Sequence, residues 1–432
     1  MKIMLISSQN DEAGKNIRSQ FLALRKANEG DVVYDLMEVE GRLIDQDRID
    51  ETFCADLIVF LSRHTSTHPS PLLSVHVTGN LSHADLGGKR FSLPPASPFW
   101  MRSVLRHLSM HAPPGYRVTY EVTHHGPTEL SIPSFFAEIG STSREWKDPR
   151  AGRAIAQSIY SARPEPALPL LGIGGNHYAT RATEMARESQ TAFGHIIHSR
   201  EVPSLDLSIL SLLKERSDAR AAYIDKKALP PHEILRIEHL LGEAGLPLLG
   251  EGEIRMLGDL SWEAYQSLTR HASSCTPFCR LIVHHLSGEG IPVIVRLDDR
   301  LLTEALRANR EALLEGLQCL PLAHLTGSDG TPLPIFLTFE GKQSSVINHL
   351  IRLCVKIIVG NQKTSLDGDS LTIYSMRFDP HKARELGIPS GPLYGVLSAG
   401  HAVEKDGRTI TSEMVQTVTK RILHIPGLRR YV

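Results

Sequence analysis

The run Thr123-His124-His125-Gly126-Pro127-Thr128-Glu129 puts two imidazoles, two hydroxyls and a carboxylate within a few residues. Side chains of these types bind metal ions and move protons at neutral pH. The run follows residues 116–122, where apolar and polar residues alternate as in a strand, and Gly126-Pro127 ends that strand. Open α/β sheets keep their ligand and catalytic groups at such strand ends.

Three more polar clusters sit at predicted strand ends, Ser62-Arg63-His64-Thr65-Ser66, His76-Val77-Thr78-Gly79-Asn80 and Gly174-Gly175-Asn176-His177-Tyr178, and Phe193-Gly194-His195 adds one more imidazole. Glu138 lies in another strand, over residues 135–139. A metal site needs imidazole or carboxylate donors converging from different strands. His76, His124, His125, His177, His195, Glu129 and Glu138 supply more than one site requires. Such a set suits hydrolysis of an ester, with water activated by a metal ion or by an imidazole–carboxylate pair. The N–H groups of Gly174 and Gly175 are candidates to hold an oxyanion or a phosphate. That turn lacks the full dinucleotide-binding fingerprint. Neighbouring residues of an extended chain point to opposite sides, so only one of His124 and His125 is expected to face a given centre. A single buried histidine is as well explained by a bond to a backbone carbonyl; the whole set is not.

The elements that position these clusters follow from periodicity. Strands are predicted at residues 3–6, 32–36, 57–61, 73–77, 118–122, 135–139, 168–173, 194–197 and 221–224. Helices are predicted over 11–26, 97–111, 148–162, 205–216 and 231–244. This alternation predicts a three-layer α/β/α domain with a mixed sheet over residues 1–254. Gly250 to Glu253 reads as a linker. Residues 259–432 form an additional α+β region, with a further division near residue 365. In it, helices are predicted over 262–273, 278–286, 301–320 and 344–359, a strand over 292–297, and two short strands after 371.

Composition sets outer limits. The chain has 432 residues, 41% hydrophobic and 22% charged, which is ordinary for a soluble protein of two or three domains. The formal net charge of −1 leaves any nucleic-acid partner to be held by local basic patches. Such patches are Lys89-Arg90, Arg102/Arg106, Arg144/Lys147/Arg150/Arg153, and the tail from Lys420-Arg421 to Arg429-Arg430. Eleven of the 21 histidines fall between His64 and His198. The five cysteines are scattered, as expected for reduced thiols in a cytoplasm. Cys275 and Cys279, ahead of His284-His285, are read as buried thiols on an apolar helix face in preference to a second zinc site. No signal peptide or membrane span is read from the sequence.

Together these motifs resemble the archaeal-type D-aminoacyl-tRNA deacylases. The resemblance rests on Ser62-Arg63-His64, His76-Val77-Thr78-Gly79-Asn80, the run 123–129, Pro133-Ser134-Phe135-Phe136 with Glu138-Ile139-Gly140, Glu145-Trp146 before Asp148, Gly172-Ile173-Gly174-Gly175 with His177-Tyr178, and Ala192-Phe193-Gly194-His195. It covers about residues 1–250. It implies hydrolysis of the ester between a D-amino acid and tRNA, zinc dependence and a phosphorylase/hydrolase-like α/β fold. In the pocket so implied, His125, Glu129, His124 and Glu138 are assigned to catalysis and His76, His124, His177 and His195 to Zn2+. Arg63, His64, Thr78, Gly79, Asn80, Thr128, Gly174, Gly175 and Tyr178 are assigned to substrate. The partner is tRNA, and a cytoplasmic monomer is expected. A segment at 378–400 is similar to one in ribonuclease Z, but that nuclease's metal motif is absent from the chain. The competing readings are a hydrolase of peptidyl- or N-blocked aminoacyl-tRNA, and a non-catalytic metal-containing tRNA-binding protein.

Overall fold

A computed structural model describes residues 1–24, 31–258, 260–276 and 279–432. The chain divides into two compact units, Met1–Ser261 and Trp262–Val432.

In the first unit the strands are β1 (Lys2–Ser8), β2 (Val33–Val39), β3 (Leu57–Arg63), β4 (Leu72–His76), β5 (Arg117–Tyr120), β6 (Ser134–Gly140), β7 (Leu168–Ile173), β8 (Thr191–Ile197) and β9 (Ala221–Ile224). The helices are α1 (Glu12–Leu24), α2 (Pro98–His111), α3 (Ser143–Trp146), α4 (Pro149–Ser161), α5 (Thr180–Glu188), α6 (Leu207–Arg216), α7 (Pro231–Glu243) and α8 (Glu251–Met256). Residues 25 and 26 of the predicted first helix lie outside the described residues.

Six strands pair in the order β2-β1-β3-β6-β4-β5. The first four run parallel, β4 runs against β6, and β5 is parallel to β4. The sheet is therefore mixed, as its irregular spacing in sequence predicts. A second, parallel sheet has the order β8-β7-β9. The chain leaving β5 joins the two, because the Thr123 N–H donates to the Ile196 carbonyl of β8 at 2.7 Å. Strands β1, β3 and β6 are buried on both faces, which explains their near-continuous apolar sequence. Helix α1 packs against α4 and β3. It comes so close that a Cβ at Gly14 would lie 2.4 Å from the Leu61 carbonyl oxygen.

In the second unit a four-stranded antiparallel sheet packs with helices Asp299–Ala308, Arg310–Gln318 and Gln343–Asn361. Three expectations change here. Residues 301–320 are two helices, because Asn309 is extended and its side chain accepts from the Ala312 N–H to start the second. The predicted helix at 278–286 is instead strand Arg280–His284, paired with Leu322–Thr326; β-branched Ile282 and Val283 suit a strand, and Phe278 lies outside the described residues. From residue 370 on there are four strands in place of two short ones: a long pair, Ser370–Phe378 and Gln416–His424, matched along their whole length, and a short pair, Val403–Lys405 and Arg408–Ile410. Packing continues across residue 365, with Leu371, Ile373 and Leu423 sharing one core with Leu350 and Ile358. A smaller core of Ala383, Ile388, Leu397, Val403, Ile410 and Val415 forms within residues 383–415.

Gly250 to Glu253 is no linker. It opens α8, with the Gly250 N–H donating to the Glu253 carboxylate at 2.8 Å. No described helix is long and apolar enough to cross a membrane.

Candidate active site

Loops at the ends of β3, β4, β5 and β7 carry His64, His76, His124, His125 and His177 to one place, and β6 supplies Glu138. Glu121, directly after β5, lies among them. Its carboxylate is buried, with His177 Nε2 at 2.8 Å, His64 Nδ1 at 3.1 Å and His124 Nε2 at 3.8 Å. None of these contacts has hydrogen-bond geometry at its oxygens. Glu138 Oε2 lies 3.6 Å from His64 Nδ1 on the other side. On the far side of His124, the Nε2 atoms of His76 and His125 are 3.2 Å apart. Phe136 packs on the His76 and His125 rings with centroids at 5.4 and 5.0 Å.

Both members of the histidine pair face this centre, contrary to the expectation for an extended chain. His125 takes a left-handed conformation at φ 50, and its carbonyl accepts from the Gly79 N–H at 2.9 Å. That turn cancels the alternation, and the two rings lie edge to face 4.3 Å apart.

Their tautomers are set from behind. His124 Nδ1 donates to the Val122 carbonyl at 2.8 Å, and His125 Nδ1 to the Gly126 carbonyl at 2.6 Å. Each Nε2 therefore presents a lone pair, as metal-ligating histidines do when a carbonyl holds the opposite nitrogen. His76 has no such support, and its Nδ1 is buried without a partner. His76, His124 and His125 form one set that could hold a metal ion; His64, Glu121 and His177 form a second, and His76, Glu121 and Glu138 a third. The donor chemistry fits: the 3.2 Å between two imidazole nitrogens is close to the roughly 3.3 Å expected around a tetrahedral ion.

Electrostatics separate the roles. Burial holds His76 and His125 well below the usual imidazole range and His124 down to about 4, so all three are neutral donors. Burial opposes charge on His64 as well, but Glu121 and Glu138 outweigh it and push His64 up to about 11. Burial likewise opposes charge on Glu121, yet His177 and His64 keep it well below the usual carboxylate range. Glu138, buried and facing Glu121, is pushed up to about 7.

Two cavities meet at this wall. One of about 500 Å³ is bordered by Gly79, Asn80, Asn176, Arg200 and Glu201. The other, about 340 Å³, is bordered by Asp11, Arg42, Leu43, Arg63, His64 and Glu138. His124, His125 and His177 border both.

Several residues assigned from sequence lie elsewhere. Glu129 borders neither cavity; its carboxylate pairs with Lys89 at 2.7 Å and Arg48 at 3.4 Å near the surface. His195 is fully buried in the sheet, between Thr123 Oγ1 at 3.0 Å and the Pro94 carbonyl at 3.0 Å. The Gly174 and Gly175 N–H groups are already taken by the Ile197 carbonyl and Ser199 Oγ, so they hold no oxyanion. Thr78 and Thr128 brace the loop: Thr78 Oγ1 donates to the Pro127 carbonyl, and Thr128 Oγ1 accepts from the Lys89 N–H. Tyr178 reaches the centre through its hydroxyl, 3.3 Å from His64 Nε2. Cys275 ends its helix and Cys279 lies beyond it, both half-buried and bonded to backbone carbonyls.

Two residues escaped the sequence reading. Glu121 falls on a polar position of an alternating strand and so looked like a surface residue. Asp11 caps α1 at Gly14 and also accepts from the Ser62 hydroxyl and the Arg63 N–H, which fixes one side of the smaller cavity.

Imidazoles and carboxylates converging between two cavities of an α/β protein define a hydrolytic or acid–base centre. Comparison with known proteins narrows this. A family model for D-aminoacyl-tRNA deacylase matches residues 52–249. A D-aminoacyl-tRNA deacylase of Methanoculleus marisnigri is 47% identical over the full length of both chains, and that of Methanoregula boonei is 48% identical over the full length of both. The chain belongs to the D-aminoacyl-tRNA deacylase family. A shorter relative so described, from Methanosarcina acetivorans, is 37% identical over 59% of this chain and 94% of its own. A crystal structure described as a conserved protein of unknown function is 32% identical, covering 59% of this chain and 96% of its own, with a TM-score of 0.55.

Proposed function

We propose that the chain hydrolyses the ester between a D-amino acid and the 3′-terminal ribose of tRNA at the wall shared by the two cavities. The observation that carries this reading is the 2.8 Å contact between Glu121 and His177, with His177 open to both cavities. Glu121 lies against this imidazole as its counter-charge. His177 takes a proton from the attacking water, and returns it to the ribose oxygen as the ester C–O bond breaks. The products are the free D-amino acid and tRNA with its 3′ hydroxyl restored.

His76, His124 and His125 would hold a zinc ion. When bound, zinc polarises the ester carbonyl and makes water more acidic. Charged His64 offsets Glu121, so the buried carboxylate stays ionised, and Phe136 keeps water from the back of the histidines. Gly79 and Asn80 border the cavity on one side of the ester and Arg63 the other.

We read the first unit as a three-layer, phosphorylase/hydrolase-like catalytic domain working in the cytoplasm. The match of the family model to residues 52–249, all within this unit, supports placing catalysis here. The test is deacylation of paired D- and L-Tyr-tRNA with and without a chelator. Rapid loss of the D-amino acid alone, abolished by chelation, is the expected result; equal turnover of the L-ester or of N-acylated substrate would replace this reading.

A further inference from the structure

Away from the histidine centre, α2 carries Arg102 and Arg106 one turn apart. Arg102 is only 2% exposed. Its Nη2 donates to the Ser189 carbonyl at 2.9 Å, and Arg106 Nη2 donates to the Arg187 carbonyl at 2.9 Å. Among the described residues, the carboxylate paired with both guanidinium groups is Glu165, 3.5 Å from Arg102 Nη1 and 3.6 Å from Arg106 Nη1. That glutamate side chain is 66% exposed. Among the described residues, Arg102 Nε is buried with no hydrogen-bond partner.

Arg102, Arg106, Glu165 and Ser189 border a cavity of about 510 Å³, which Glu188 also lines. Its third arginine, Arg255, is already paired with Glu188 and Glu251. A buried guanidinium normally has a buried partner with good hydrogen bonds, because an unpaired charge costs several kcal/mol. Here the counter-charge sits on a side chain free to turn into solvent, with long contacts to both arginines. Its removal would leave the guanidinium groups of Arg102 and Arg106 beside the cavity without that counter-charge. Guanidinium pairs of this kind suit the oxygens of a tetrahedral anion.

We propose that this cavity is a binding site for a phosphate oxyanion, with Glu165 as the resident group that the anion displaces. The oxyanion is a backbone phosphate of tRNA or free phosphate; both offer the same chemistry to Arg102 and Arg106.

Calorimetric titration of the full-length protein with inorganic phosphate at low salt tests this. Binding is expected to weaken about tenfold or more in Arg102→Met and in Arg106→Ala, and to tighten several-fold in Glu165→Gln. Arg106 is partly exposed, so its variant remains informative if Arg102→Met misfolds. Steady-state kinetics separate the sources. A raised KM for D-Tyr-tRNA at unchanged kcat in Arg106→Ala, with phosphate competing, supports the tRNA backbone. Lost phosphate binding at unchanged KM supports free phosphate. No phosphate binding by the wild type with no change of KM in Arg106→Ala, or wild-type phosphate affinity in both arginine variants, overturns the proposal.

Discussion

Glu121 and His177 meet at 2.8 Å, the carboxylate wholly buried and the imidazole at the border of two cavities. One group is fixed by the strand end behind it and the other borders both cavities. A buried carboxylate against an accessible imidazole sets a fixed negative charge beside a group that can take up and return a proton.

Glu121→Gln should therefore cut kcat for D-Tyr-tRNA by about 10²–10⁴ with little change in KM. It also removes one of the two carboxylates that hold His64 charged. The His64 resonance should then titrate at a lower pH by NMR than in the wild type. Near-wild-type kcat would remove Glu121 from the mechanism.

Glu129→Ala should leave turnover within about threefold of wild type, since its carboxylate serves only a near-surface pairing with Lys89 and Arg48, and such pairs contribute little. The same deacylation assay, run beside Glu121→Gln, checks the contrast.

Chelation should abolish activity while the far-UV circular dichroism stays unchanged, because the strands behind the centre are held by their own buried apolar side chains. His125→Ala should lower bound zinc, measured by elemental analysis, and reduce turnover by at least about 10². Zinc retained at full stoichiometry would move the metal to another of the three donor sets.

Gly140→Ala probes the packing behind His64. A Cβ there would lie 2.9 Å from His64 Cδ2 and 3.1 Å from its Cβ, too close for the ring to remain in place. A stability loss of about 1–3 kcal/mol and a kcat loss exceeding any KM change are expected, read by urea unfolding and kinetics.

Acid should destabilise the first unit partly through His195. Burial pushes its pKa down to about 4 from 6.5, and the Pro94 carbonyl fixes the proton on Nε2, so Nδ1 must accept from the Thr123 hydroxyl. The unfolded chain takes up a proton below pH 6.5 that the folded one refuses until about pH 4. The stability tied to neutral His195 is thus complete above pH 6.5 and lost as pH falls toward 4, on the order of 3 kcal/mol at most. His195→Gln should be less stable at pH 7.5 but lose less than the wild type on going to pH 5, measured by denaturant unfolding. Parallel pH curves would deny His195 this role.

Local chemistry was enough to find every strand and most helices of the first unit. Apolar runs such as Leu57–Arg63 and Ser134–Gly140 mark doubly buried strands, and Pro98 and Pro149 mark helix starts. It also brought out His76, His124, His125, His177 and Glu138 as residues of one centre. It failed where neighbours in sequence part company in space. Glu129 and His125 share a loop, yet one turns to the surface and the other into the cluster.

What the sequence determined by itself was the inventory: which donors exist, and which strand ends they sit on. Tertiary structure decided which of them converge. Glu121 became central because β5 lies at the edge of its sheet, where the second sheet joins it, and points that polar position inward. His195 left the site because β8 buries it against Thr123 and Pro94. The left-handed turn at His125 let adjacent imidazoles face one cavity. Periodicity records the direction of a side chain relative to its own strand. Only the packing of strands against each other fixes whether that direction leads to solvent, to core or to a shared pocket.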